Sequence, residues 1–407
     1  MRFGRSWAEL EQDREELRRN VEYEALDISD VNRWLGKTIG GEQLREPVSL
    51  TDVRRWAQAM QNANPVYFDE SFANATGFGK VVAPQSFIVA CAVRHGVIPS
   101  IQGTIPGSHQ MNVGDEWWFA EPRIEIGDHI ISERRAYDVR TATTRFAGPT
   151  AFQRGDTTYL NQDGKVVARQ RSTAMRYLVA NLHPKESSTP ESGIREWSDE
   201  EIEQIEAERL SYARRMRESS LHTIADVSVG ESIARRPLGP HSIQSFTTEQ
   251  RAFLYTVWGN LYDDGLDGTG RNFGGVDAMK TRTAAASEDP TFADGLLHGG
   301  GRGHTDTRYA KVIGMEKPFG YGASMTAYVL DYVSNWIGYE GMVLHSSLRY
   351  RTPVYVGDMT YVSAKVADVK LDPTGRYGEV ILEILMTNQD DAQLASGIVT
   401  AQLPSGS

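Results

Sequence analysis

His304-Thr-Asp-Thr-Arg-Tyr-Ala-Lys-Val-Ile-Gly-Met-Glu-Lys317 repeats, 237 residues later and without a gap, the pattern of Tyr67-Phe-Asp-Glu-Ser-Phe-Ala-Asn-Ala-Thr-Gly-Phe-Gly-Lys80. Asp69 meets Asp306, Ala73 meets Ala310, Gly77 meets Gly314 and Lys80 meets Lys317. Four identities alone would decide little, but the surroundings repeat as well. Each segment leads into an apolar run of helical length, 83–97 in the first copy and 319–337 in the second. Each run is followed by strand patterns. Pro122-Arg-Ile-Glu-Ile-Gly-Asp128 resembles Pro353-Val-Tyr-Val-Gly-Asp358, and Asn161-Gln-Asp-Gly164 resembles Asn388-Gln-Asp-Asp391 as a hairpin turn. Upstream, a helix at 51–61 has a counterpart at 247–259.

Helix, loop, long central helix and antiparallel strands therefore occur twice, an α+β layering in which each sheet wraps one helix. Two such units side by side make a pseudo-dimer in one chain. The expected divisions are an N-terminal unit at 1–181, a linker at 182–220 and a C-terminal unit at 221–407. The linker opens with Pro, Ser and Glu and continues as a charged, capped helix from Ser198.

Composition narrows the function classes. The 407 residues carry a net charge of −11 and no basic stretch of the kind that binds nucleic acid. No run approaches the roughly 20 apolar residues of a membrane span, and the charged start, 1–19, does not read as a secretory signal. A cytoplasmic location is expected. Cys91, in an apolar run, is expected in the core, and so are Trp117, Trp118 and Phe119, as core and pocket wall.

This layout and these residues resemble the MaoC-like enoyl-CoA hydratase/dehydratase family in its double-hotdog form. The family motif runs Asp-x-Asn-Pro-x-His-x-Asp, then Ala, Gly and Pro-x-x-His-Gly. The second half matches it with His304, Asp306, Ala310, Gly314 and Pro318-Phe-Gly-Tyr-Gly322; the first half matches it with Asn62-Ala-Asn-Pro-Val-Tyr-Phe-Asp69, Ala73 and Gly77. The run Val113-Gly-Asp-Glu-Trp-Trp-Phe119 also looks like the family's N-terminal half. The resemblance covers most of the chain apart from the ends, the linker and one insertion.

The implied reaction is reversible addition of water across a 2-enoyl-CoA. It needs a base for water, an acid for C2 and donors for the thioester oxygen. The resemblance places His304 as base or acid and the Gly322 N–H as oxyanion donor at a helix start. Gly320, Tyr321 and Arg302 are the expected substrate contacts, with Arg302 meeting a CoA phosphate. Coenzyme A enters as part of the substrate; no separate cofactor and no metal is implied. A homodimer is expected.

The departures from the motif matter. Tyr67 and Asn62 replace the histidine and aspartate of the first half, which is therefore expected to be non-catalytic. In the second half Gly299 stands five residues before His304, where an aspartate belongs, and about 39 extra residues separate Asn260 from His304. An acid of this insertion, Asp264 or a neighbour such as Asp263 or Asp294, would have to replace the aspartate. Otherwise the chain is a non-catalytic acyl-CoA-binding or partner subunit, or a hotdog thioesterase. Asp306 is expected to cap the following helix. His298 and Gly299-Gly-Gly-Arg-Gly303 match neither a metal spacing nor a P-loop.

Overall fold

The computed structural model describes residues 23–39, 42–44, 46–91, 99–182, 193–218, 223–253, 302–371 and 375–405. Among the described residues ten strands form a single antiparallel sheet in the order β1-β3-β4-β5-β2-β7-β10-β9-β8-β6. The first five are β1 (Glu42–Gln43), β2 (Ser108–Phe119), β3 (Ile131–Thr144), β4 (Gly148–Leu160) and β5 (Val166–Leu178). The others are β6 (Ser232–Leu238), β7 (Met342–Tyr350), β8 (Thr360–Leu371), β9 (Tyr377–Thr387) and β10 (Gln393–Pro404). From the centre outward the two halves read identically: β2, β5, β4, β3, β1 on one side and β7, β10, β9, β8, β6 on the other. They are joined by β2 and β7, with Gly114 opposite Arg349 and Trp118 opposite His345.

The repeat is visible down to single side chains. Asn161 accepts hydrogen bonds from the N–H groups of Asp163 and Lys165, and Asn388 from those of Asp390 and Ala392. Both turns are thus closed by an asparagine that mimics backbone. Helices α2 (Leu50–Ala59) and α5 (Ile243–Ala252) both start at a serine in a capping box. Asp69 and Asp306 likewise cap α3 (Glu70–Asn74) and α6 (Thr307–Val312). α1 (Ser29–Trp34) lies ahead of the first unit. The linker helix α4 (Asp199–Glu218) is capped by Ser198 as expected and is tied to β6 through Glu208 and Arg235.

The two central helices differ. In the second half α7 (Gly322–Ile337) is a long, almost wholly buried helix, starting three residues later than the sequence suggests. Phe319 and Gly320 are held in strand-like contact with Tyr355 and Val354, which delays the start. In the first half no α-helix begins at 83. Gln85–Val89 is a 3₁₀ segment and Ala90–Cys91 a turn; the remainder of the expected helix, 92–97, lies outside the described residues. Pro84 precedes the segment, and the Gln85 amide both donates to the Val343 carbonyl and accepts from the Val343 N–H. These bonds hold the segment against α7 and β7.

A single buried cluster spans both halves, with Trp56, Phe87 and Trp117 from the first and Phe246, Val329 and Val333 from the second. Cys91 is fully buried and its thiol is pushed up by that burial, as a core cysteine should be. Trp117 stacks between Phe119 and Tyr159. Trp118 departs from expectation: it is 37% exposed beside His345, because neighbouring residues of a strand face opposite sides.

His241 belongs to the same core. Its Nε2 lies 3.1 Å from Thr360 Oγ1, and its ring stacks on Phe246 and Tyr328. Burial, with Arg209 adding to it, pushes its pKa down to about 4, below the roughly 6.5 of an unfolded histidine. The unfolded chain therefore binds this proton first as pH falls, so stability present above about 6.5 is lost towards 4. The expected loss is on the order of 2–3 kcal/mol. Thermal melts of wild type and His241→Phe over this range check it: the wild type's Tm should fall more steeply, and parallel curves would disprove the assignment.

Candidate active site

The start of α7 is where the chemistry-bearing residues of the second half meet. Residues 302–304 form a 3₁₀ turn that sets His304 beside the two residues preceding the helix. The His304 ring lies 3.8 Å from that of Tyr321 and 4.6 Å from that of Phe319, centre to centre. Its Nδ1 is 2.6 Å from the Phe319 carbonyl oxygen. A carbonyl only accepts, so Nδ1 carries the hydrogen, and the lone pair of the neutral ring is on Nε2.

Gly322 is the first residue of α7, so its N–H has no intrahelical acceptor and sits at the positive end of the helix dipole. A methyl group here would lie 3.1 Å from Asn112 Cβ and 3.2 Å from Tyr350 Cε2. The backbone is thus approached closely by β2 of the first half and β7 of the second.

Behind Gly322 is a buried polar network that crosses the junction of the halves. Asp115 is 3% exposed. It accepts from Asn112 Nδ2 at 3.1 Å, Tyr350 OH at 3.0 Å, Gln170 Nε2 at 3.2 Å and Thr326 Oγ1 at 3.3 Å. Burial pushes its carboxyl upward, and these four donors pull it back. Each lone pair answered in this way lowers the cost of a buried carboxyl and locks the surrounding rotamers.

Glu249 of α5 is the other buried acid near the helix start. It is fully buried, its Oε1 accepts from Tyr328 OH, and its Oε2 has no hydrogen-bond partner. The Ser324 hydroxyl lies against the carboxyl without closing a regular hydrogen bond to it. Burial pushes this carboxyl up to about 7, against the pull of Tyr328 and Ser324.

Residues 33–170 match the family described as FAS1-like, dehydratase domain region. A protein of Thermomonospora curvata named "Probable enoyl-CoA hydratase alpha subunit" is 30% identical over 158 residues, which cover 35% of this chain and 50% of that one. The chain thus spans about half the length of the curated relative it matches. Among solved structures, a MaoC-like dehydratase superimposes with a TM-score of 0.58 at 17% identity, covering 92% of this chain and 100% of the other. A MaoC domain protein dehydratase from Chloroflexus aurantiacus gives 0.53 at 13% identity, covering 92% and 96%. A conserved Mycobacterium tuberculosis protein with a double hotdog fold gives 0.52 at 14% identity, covering 91% and 96%. The first half thus matches a dehydratase-region family, and the chain as a whole has the fold of these MaoC-like, double-hotdog structures.

The expected site residues fare differently. His304, Tyr321 and Gly322 come together. Gly320 adjoins them, but its N–H is already given to the Val354 carbonyl at 2.7 Å, which leaves that group no part in binding an oxyanion. Arg302 is a correction: its side chain is buried, with both Nε and Nη2 2.8 Å from Asp306 Oδ2, so it braces the turn instead of meeting a CoA phosphate. Asp306 also accepts from the N–H groups of Arg308 and Tyr309, the capping role expected of it. Asp264, with Asp263, Asp294 and His298, lies outside the described residues.

The corresponding loop of the first half is packed shut. Asn64 donates to Asn335 Oδ1 at 3.0 Å and accepts from Tyr339 OH, while Asn335 donates to Asn62 Oδ1. Tyr67 is 5% exposed, and burial together with nearby Asp331 raises its phenol further, so it offers no base. No group of three or more His, Cys, Asp or Glu placed to hold a metal occurs among the described residues, nor is any described helix long and apolar enough to cross a membrane.

Proposed function

We propose that this chain is a double-hotdog hydratase/dehydratase acting reversibly on 2-enoyl-CoA and 3-hydroxyacyl-CoA thioesters. Its N-terminal unit, 1–181, builds the sheet and pocket, 182–220 links the units, and the site belongs to 221–407. The observation that carries this is the meeting of a histidine whose lone pair is directed to Nε2 with the unpaired first N–H of α7.

In hydration, His304 Nε2 takes a proton from water as its oxygen bonds to C3. Negative charge moves to the thioester oxygen, where the Gly322 N–H and the helix dipole meet it. Dehydration runs the same steps backwards. The CoA thioester is substrate, and a homodimer is the proposed assembly.

The direct test is to mix purified protein with saturated, 2-enoyl and 3-hydroxyacyl thioesters and follow the enoyl absorbance and free thiol. Reversible change in the enoyl band is expected. Thiol release would instead identify a thioesterase, and binding without turnover a partner subunit.

A variant tests the oxyanion donor. Gly322→Ala should keep the fold, since alanine favours the helix by about 0.5–1 kcal/mol and so offsets the tight approach of Asn112 and Tyr350. The methyl group, pressed against Asn112 and Tyr350, would shift the Gly322 N–H from its aim at the thioester oxygen, so kcat should fall roughly 10-fold while Tm changes little. A kcat equal to wild type would remove Gly322 from the mechanism.

A further inference from the structure

The base of this site has a candidate, but among the described residues its acid has not been named. Two residues of α5 and the residue that ends it point to one. Phe246, Glu249 and Phe253 follow one another at helical spacing and so share a face. Phe246 packs against Gly320, where a methyl would meet it at 2.9 Å, and the Phe253 ring lies 6.2 Å from that of Tyr321. Glu249 is set between them, over the first turns of α7, with Ser324 and Tyr328 against its carboxyl. Tyr321, whose charge state feels Glu249, is the same ring that His304 lies on.

We propose that Glu249 is the acid of this active site, protonating C2 of the enoyl thioester while His304 deprotonates the attacking water. This rests on the hydratase reading given above. The oxygen–C3 bond forms, the C2=C3 π pair becomes the C2–H bond, and the proton of that bond leaves Glu249. One proton of water stays in the new hydroxyl and the other is left on His304, and the pair resets by returning it to the Glu249 carboxylate.

The surroundings suit this role. A fully buried carboxyl with one oxygen unpartnered is stable only when neutral or when a ligand answers it. Among the described residues no cation pairs with it. Tyr321, just ahead of α7, and Ser324 and Tyr328 on it face the carboxyl, and the hydroxyls of the latter two favour its charged form. His241, stacked on Phe246 and Tyr328, is held neutral by burial, and Arg236 acts on Tyr328 from β6. With burial pushing it up to about 7, the carboxyl holds its proton in the neutral range, where an acid is needed.

The test is the pH profile of kcat and KM for wild type, Glu249→Gln and Tyr328→Phe on a hydrated enoyl-CoA. In wild type kcat should fall as pH rises through about 7. Glu249→Gln should lower kcat roughly 10²-fold, change KM less than about threefold and abolish this alkaline fall. Tyr328→Phe removes a donor to the carboxylate and should move the fall to higher pH. A Glu249→Gln enzyme with wild-type kcat and an unmoved alkaline limb overturns the proposal while leaving the hydratase reading intact. A wild type that hydrates no enoyl-CoA overturns both. Should Glu249→Gln not fold, Tyr328→Phe decides: a displaced limb supports the role and an unmoved one ends it.

Discussion

On the proposed mechanism, His304→Ala should lower kcat for enoyl-CoA hydration roughly 10³-fold and leave KM nearly unchanged, because the imidazole would supply proton transfer in the transition state. The ring is placed for it. Its Nδ1 hydrogen is committed to the Phe319 carbonyl, which orients the ring and leaves Nε2 as the basic atom. Its packing on Tyr321 sets that atom's neighbourhood at the start of α7. His304→Asn gives a stricter comparison. Its amide can keep the bond to Phe319 but has no basic nitrogen, so it should be nearly as inactive while melting close to wild type. If His304→Ala retained more than about a tenth of kcat, the imidazole would not be the base. If both variants lost thioester binding in proportion to activity, His304 would be holding substrate, not moving protons.

That the sequence offers this residue as a candidate, but not the carboxyl proposed as its partner, has a physical cause. A repeat fixes register. Once Asp69 and Asp306 are aligned as helix caps, His304 falls opposite Tyr67 and the difference in chemistry is plain. The order of the ten strands follows from the same duplication. Glu249 offers no such marker, because a glutamate in an amphipathic helix ordinarily faces water. The signal was its spacing from Phe246 and Phe253, which puts it on the apolar face.

Arg302 shows the opposite error. An arginine in a glycine-rich loop suggests an anion site, but Asp306 four residues on takes it inward. The described start of the first central helix differs for another reason. Apolarity over 83–91 says that the segment is buried, not that its backbone is α-helical. Gln85, bonded to both main-chain groups of Val343, reveals a packing contact that periodicity does not carry.

Arg236 provides the largest expected effect on stability. Arg235 and Arg236 are neighbours on β6, so one must face inward. Arg235 pairs with Glu208 outside, whereas Arg236 is 1% exposed. Its Nη2 donates to the Met60 carbonyl at 2.6 Å and its Nη1 to the Tyr328 carbonyl at 3.0 Å. Asp331, fully buried on α7, lies 3.9 Å from Nη1 and accepts from Ser86 Oγ, itself bonded to Trp56. One guanidinium thus joins the end of α2 in the first half to the central helix of the second.

Arg236→Met keeps the volume but removes the charge and both donors. It should destabilise the protein by about 3–5 kcal/mol, since an uncompensated buried carboxylate and two orphaned carbonyls remain. Burial already raises the Asp331 carboxyl and Arg236 restrains it; without the arginine it should rise further. An acid whose folded pKa is raised stabilises the fold only while protonated, and that contribution is lost as pH rises through the folded value. The variant should therefore lie closest to wild type in acid and fall further behind as pH increases. Asp331→Asn in the Arg236→Met background should recover part of the loss and flatten this dependence. Urea unfolding of the four proteins that make up this cycle, at acid and alkaline pH, measures the coupling. A loss below about 1 kcal/mol for Arg236→Met, or one independent of pH, would show that this guanidinium does not hold the halves together.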